Sequence, residues 1–285
     1  MKKTKTDSSI DLANFDFDKE LANLGVATGP TSLTKGTSGL ATMPGSKPAK
    51  TSAPTDTPSN PFWVMVAMTI VTIVLSFIPF ASIATYPFQL FVTFIHEISH
   101  AITALATGGS VVGRSLTVRW DGSGEVQNTG GIQFLISSAG YVGSTLFGCL
   151  LMLIAKKPKL AKPAMIGTAV VIGIFTLLYG GSFGTLIIGA GLVAALLAVV
   201  KLTKQKTSYY FLSFLSIQSI LNAVYNINVL FGPHIGDSDA EIIARSSGIP
   251  AFLWSSSWLL ISLGMLFFVL MNYYKMFKNS SQPNA

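Results

Sequence analysis

Two histidines four positions apart, with a glutamate directly after the first, are the residues of this chain best suited to chemistry: His96-Glu97-Ile98-Ser99-His100. On a helix, positions i and i+4 share a face, so both imidazoles can reach one metal ion while the glutamate holds a water beside it. That is half of a zinc hydrolase site. The metal lowers the water's pKa toward roughly 7, and Glu97, a general base and not a ligand, takes its proton and delivers it to the leaving amine. The chain has three histidines, and two of them stand in this motif.

An open catalytic site wants three protein ligands. The remaining donors cluster in Gly232-Pro233-His234-Ile235-Gly236-Asp237-Ser238-Asp239-Ala240-Glu241, where His234, Asp237, Asp239 and Glu241 are chemically close to equal. Ser238 or Asp239 also suits the N-cap of a helix over Ala240 to Ser246, the plainer use of that position.

The motif lies inside an apolar block, Pro87 to Ala106, and composition says what surrounds it. Half of the 285 residues are hydrophobic and 11% are charged, with a mean hydropathy of +0.56; a soluble domain cannot cover itself with so few charges. The apolar residues run in long blocks, so the backbone must satisfy its own hydrogen bonds as helices. The expectation is an all-α polytopic membrane protein. Ionisable side chains at bilayer depth cost at least about 2.5 to 3.5 kcal/mol each, which makes a buried His-Glu-His cluster a functional signal more than a packing one.

Blocks near the roughly 20 residues needed to cross a bilayer fall at about Pro61 to Ala84, Pro87 to Ala106, Ile132 to Ala155, Pro163 to Gly180, Phe183 to Val200, Tyr209 to Phe231 and Ala251 to Tyr273. That predicts about six to seven transmembrane helices, with a break at Thr85-Tyr86-Pro87 between the first two. Between the second and third, Val111 to Arg119 and Glu125 to Asn128 read as the strands of a small β-hairpin turning at Asp121-Gly122. Gly108-Gly109 reads as a helix stop before it, and Gly130-Gly131 as a flexible entry to the next span. A hairpin with a free edge can hold an unwound substrate as an added strand.

Residues 1–60, polar and rich in Ser, Thr, Pro, Gly and Lys, read as a disordered tail with no signal-peptide pattern. Residues 61–275 read as the transmembrane domain and 276–285 as a short polar end. The net charge of +7 gathers in lysine clusters at the ends of apolar blocks: Lys156, Lys157, Lys159 and Lys162, then Lys201, Lys204 and Lys206, then Lys275 and Lys278. Two spans separate each cluster from the next, so all three share one side, the cytosol. The hairpin and the Gly232 to Pro250 loop begin on the other. With full crossing of both early blocks the lysine-bearing tail falls opposite the clusters, which argues that a block is re-entrant or that the hairpin dips into the membrane.

Several function classes are excluded. The arginines are Arg114, Arg119 and Arg245 alone, too few for a nucleic-acid surface. Neither a phosphate-binding Gly-rich Lys loop nor a dinucleotide fingerprint is present, so no nucleotide partner is implied. The single cysteine, Cys149, permits neither an intrachain disulfide nor a Cys-based zinc cluster. The residues leave a zinc-dependent intramembrane endopeptidase in front. Behind it stand a membrane hydrolase with another substrate and a non-proteolytic ion or proton transporter or scaffold built on the same polar cluster. A transporter would carry internal repeats with paired broken helices, and none is found. Gly140, Gly143 and Gly148 with Ser144 read as close helix packing, Asn222, Asn226 and Asn228 as substrate, ligand or interhelical contacts, and Trp254 and Trp258 as an aromatic belt.

The chain from about residue 87 to 260 resembles the short bacterial branch of the site-2-protease-like intramembrane zinc metallopeptidases. The resemblance lies in His96-Glu97-Ile98-Ser99-His100-Ala101, Thr107-Gly108-Gly109, Gly130-Gly131, Ala139-Gly140-Tyr141-Val142-Gly143, Ser238-Asp239-Ala240 and Ser247-Gly248-Ile249-Pro250, with Trp254 and Trp258. It implies His96 and His100 as zinc ligands, Asp239 as the third, Glu97 as base, Zn2+ as cofactor, a membrane-embedded protein as substrate, and a multi-pass place in the cell membrane. Where fuller members carry Asn-Pro and Asp-Gly near the third ligand, this chain has Ser-Asp-Ala.

Overall fold

The structure, a computed structural model, describes residues 61–76, 78, 81–222 and 238–280. The expected N-terminal tail, His234, Asp237, Asn226 and Asn228 lie outside the described residues. Eight α-helices are described: α1 (Pro61–Ser76), α2 (Ala81–Ala106), α3 (Gln133–Ala155), α4 (Ala161–Tyr179), α5 (Phe183–Leu202), α6 (Gln205–Ile220), α7 (Asp239–Ser247) and α8 (Ala251–Ser280). Between α2 and α3 come four two-residue strands, β1 (Ser110–Val111), β2 (Thr117–Val118), β3 (Gly124–Glu125) and β4 (Asn128–Thr129).

This is an all-α polytopic membrane fold with a small β excursion after the second helix. Among the described residues, five helical stretches are long and apolar enough to cross a membrane: Ile83–Ala106, Gln133–Ala155, Pro158–Tyr179, Phe183–Leu202 and Ala251–Met276. The other two expected blocks are also helical but shorter within the described residues, α1 with an apolar stretch Val66–Leu75 and α6 with 16 residues.

The break expected at Thr85-Tyr86-Pro87 does not occur. The helix of the motif begins at Ala81 and carries Pro87 inside it. Six residues precede that proline, so its missing N–H falls in the second turn, where losing one bond to Ile83 leaves a long apolar helix intact. The stop at the other end is as the sequence expects. Gly108 takes φ +84°, and the Gly109 N–H reaches the Ala104 carbonyl at 2.8 Å, which closes the helix with a left-handed glycine cap.

The hairpin has two rungs where one continuous ladder was expected. An outer rung pairs Ser110 with Thr129 and Val111 with Asn128, and an inner rung pairs Thr117 with Glu125 and Val118 with Gly124. The turn falls at the expected Asp121-Gly122, with Gly122 at φ +85°. From the end of α2 the hairpin folds back along that helix. The Tyr86 hydroxyl donates to the Trp120 carbonyl, and Thr93 Oγ1 donates to the Gly122 carbonyl at 2.9 Å. Twenty residues of helix separate Tyr86 from Ala106, so this excursion covers about 30 Å of α2. Non-helical backbone at that depth must be satisfied within the protein. The turn between α4 and α5 and the helix ends beside it do so: Leu116 N–H donates to Tyr179 O at 2.9 Å, Gly181 N–H to Leu116 O at 2.8 Å, and Val118 N–H to Thr185 Oγ1 at 3.0 Å.

The core that holds the motif helix is formed by Phe91, Phe94, Ile95 and Ile98 of α2 with Leu151, Met165, Ile172 and Leu212 from α3, α4 and α6, and Leu116 and Val118 of the hairpin. The α3–α6 contact is close because Gly148 faces the Ser216 carbonyl; a Cβ there would meet that oxygen at 2.5 Å. Small residues let helices approach where lipid supplies no hydrophobic drive, as the sequence reading of Gly148 supposes.

Candidate active site

The motif's face of α2 turns inward: His100 and Glu97 are each 5% exposed, and the His96 and His100 rings meet edge to face with centroids 4.8 Å apart. Opposite them stands Asp239, the first residue of α7. His96 Nε2 lies 3.0 Å from Asp239 Oδ2 and His100 Nε2 lies 3.3 Å from Asp239 Oδ1. The three donor atoms all fall within 4.8 Å of one another, a group that can hold a metal ion.

Asp239 is free to face the imidazoles because its neighbours do the capping. The Ser238 hydroxyl accepts from Glu241 N–H at 3.3 Å and the Glu241 carboxylate accepts from Ser238 N–H at 3.2 Å, a reciprocal capping box. Of the third-ligand candidates within the described residues, Asp239 is thus brought to the histidines, and Glu241 closes the cap. The short helix is held in place by Ala240 and Ile243 packing on Trp258. Trp258, expected in an interfacial belt, is 3% exposed. Its ring stacks on Tyr141 at 5.5 Å and its indole N–H donates to Ser138 at 3.0 Å. It is buried because α7 covers it, and helix α7 was not legible as a neighbour of α8.

Two side-chain environments orient the imidazoles. His100 Nδ1–H donates to the Ile136 carbonyl at 2.6 Å, which leaves Nε2 as the nitrogen facing Asp239. Asn222, just past the end of α6, places its amide nitrogen 3.2 Å from His96 Nδ1. Tyr141 meets His96 edge to face at 4.7 Å. Gly140, expected only as a packing glycine, lies under both rings: a Cβ would come to 2.2 Å from His96 Nε2 and 2.5 Å from His100 Nε2. The absence of a side chain there is what leaves room at the two nitrogens.

The hairpin forms the other wall. Gly124 of β3 passes so near Glu97 that a Cβ would meet Oε1 at 2.5 Å. The adjacent Glu125 carboxyl is held below the usual carboxylate range by the Gln127 amide and then the Arg119 guanidinium, the latter 3.1 Å away. Between hairpin, α2, α3 and α7 opens a cavity of about 500 Å3 lined by His96, Glu97, His100, Tyr141, Asn222 and Asp239 together with residues 122–128.

This arrangement lies within a region recognised by a family profile: the profile described as Peptidase M50B-like matches residues 63–269. The chain belongs to that family. No curated protein and no solved structure matches the chain. Membership in the Peptidase M50B-like family, with five apolar helices long enough to span among the described residues, makes this an integral membrane protein of a metallopeptidase family. The matched region runs from α1 into α8 and contains His96, Glu97, His100 and Asp239.

Proposed function

We propose that the chain is a zinc-dependent intramembrane endopeptidase in which His96, His100 and Asp239 hold the metal and Glu97 is the general base. The observation that carries this reading is the meeting of three donors from two separated segments beside a buried glutamate. The donor set fits zinc on two grounds. Ligands about 2.0 to 2.1 Å from a tetrahedral zinc stand about 3.3 Å from one another; the histidine-to-aspartate separations, each to a different carboxylate oxygen, are 3.0 and 3.3 Å, and the three donors lie within 4.8 Å of one another. Gly140 also keeps clear the space at both Nε2 atoms that any side chain would fill.

Zinc bound there would polarise the scissile carbonyl and acidify the attacking water. Glu97, on the same helix face and 5% exposed, takes the water's proton and returns it to the leaving amine. Asp239 and the two imidazoles keep that proton path in a fixed place, since α2 holds both imidazoles and α7 holds the carboxylate. Opposite α2 the cavity is walled by hairpin residues 122–128 with Gln133, Ser137 and Asn222, which offer polar groups that can pair with a peptide. Such a wall suits an extended segment of a membrane-embedded protein, paired as an added strand, better than it suits an ion path. The cell membrane is the proposed location, and the lysine-rich ends the cytosolic side.

The test is hydrolysis of a pool of single-span peptides in vesicles, with products read by mass spectrometry. Glu97→Gln is expected to keep its zinc and lose cleavage by about 100-fold or more. Cleavage by Glu97→Gln at the wild-type rate would remove the glutamate from the mechanism.

A further inference from the structure

The two histidines are oriented by different kinds of partner. The partner of His100 is a backbone carbonyl, Ile136 O at 2.6 Å, which can only accept. Its Nδ1 therefore carries a proton, and the nitrogen left to bind a metal is Nε2. The partner of His96 is a side-chain amide, and an amide has a donor end and an acceptor end of nearly equal shape. As the groups stand, Asn222 Nδ2 donates to Ser144 Oγ at 3.0 Å and faces His96 Nδ1 at 3.2 Å. Nδ1 then accepts, and the ring proton sits on Nε2, donated to Asp239 Oδ2 at 3.0 Å.

That tautomer is the wrong one for a ligand. For His96 Nε2 to offer a lone pair to a metal, the proton must sit on Nδ1, and Nδ1–H then needs an acceptor in a site where Asn222 is 7% exposed. We infer that Asn222 is a positioning residue for zinc binding: its amide turns over so that Oδ1 accepts from His96 Nδ1–H, fixing the metal-binding tautomer. The turn exchanges two atoms of similar size. Ser144 can follow it, because its hydroxyl, now donating to the Tyr141 carbonyl at 3.1 Å, can rotate to donate to Oδ1 instead. One ligand is thus preset by the backbone and the other by a reversible amide. This inference rests on the zinc reading above.

The consequence is a pair of substitutions with opposite effects. Asn222→Ser removes the acceptor from reach of His96. Asn222→Asp presents oxygen at both ends, so an acceptor faces Nδ1 without any turn, the carboxylate–histidine arrangement that raises a ligand's basicity. The experiment is zinc affinity of the purified full chain in detergent, by competition with a chromophoric chelator, with size-exclusion profiles as the check on folding. Asn222→Ser is expected to bind zinc about 10 to 100-fold more weakly, and Asn222→Asp as tightly as wild type or more so. A purely structural role would weaken both. Equal weakening in both, or wild-type affinity in both, overturns the inference while leaving the zinc site in place. A wild-type chain that binds no zinc overturns the endopeptidase reading and this inference with it. Should Asn222→Ser fail to fold, Ser144→Ala carries the test: it removes only the hydroxyl that steadies the amide and is expected to weaken zinc by about threefold or more, and unchanged affinity there counts against the inference.

Discussion

Glycine 140 is the residue whose identity the site constrains most without contributing a functional group. Alanine would improve the helix propensity of α3 by about 1 kcal/mol, yet its Cβ would sit 2.2 Å from His96 Nε2. The steric term wins, because the rings are pinned by Ile136 on one side and Asn222 on the other and cannot retreat together. Gly140→Ala is therefore expected to weaken zinc binding by about tenfold or more, the scale seen when a ligand's orientation is lost; chelator competition reads it, and wild-type affinity would show the rings to be free. Sequence made His96, Glu97 and His100 legible because their spacing on one turn of helix is itself the signal. Asp239 was one of four equal donors until the family resemblance favoured it. What separates it from Glu241 is the capping box, a local geometry that spacing alone does not reveal. The roles of Gly140, Tyr141 and Trp258 depend on contacts between α2, α3, α7 and α8, and nothing in their sequence neighbourhood encodes which helix they face.

At the scale of elements, the hairpin and α7 complete a site that α2 begins. The hairpin's existence and its turn could be read from β-forming residues and Asp121-Gly122, but its direction could not. It runs back along α2 because the α4–α5 turn and the helix ends beside it supply partners for Leu116 and Val118. Its closest approach to chemistry is Gly124 beside Glu97. Gly124→Ala must push β3 outward or turn the Glu97 carboxylate aside, since Oε1, the Glu97 Cγ and the Thr93 methyl all lie within 2.8 Å of the added carbon. The expected result is a loss of peptide cleavage by about 10-fold or more with zinc retained, the general-base contribution being 100-fold or greater at most positions that hold one. Cleavage at the wild-type rate would place the hairpin outside the reacting groups.

For the whole molecule the sequence was most informative, since each of the seven expected apolar blocks carries a helix among the described residues and the described ends differ. Proline 87 shows why ends are hard to read: near a helix start it costs one hydrogen bond, and the apolar surroundings of α2 outweigh that. The lysine clusters sit at the ends of α3, α5 and α8 and the starts of α4 and α6, which predicts one shared membrane face. With the buried Cys149 replaced by serine, cysteines at Lys157, Lys204 and Lys275 are expected to react with an impermeant maleimide from the same side, and a cysteine at Ile249 from the other. Labelling split among the three lysine positions would contradict the topology.

The most direct test of the central claim, that His96, His100 and Asp239 form one zinc site, is the metal content of the detergent-purified protein, measured for wild type, His96→Ala and Asp239→Ala side by side. About one zinc per wild-type chain, lost from both variants, is the predicted result. A folded wild type that holds no transition metal would contradict it, and an Asp239→Ala protein that keeps its zinc would remove Asp239 from the site.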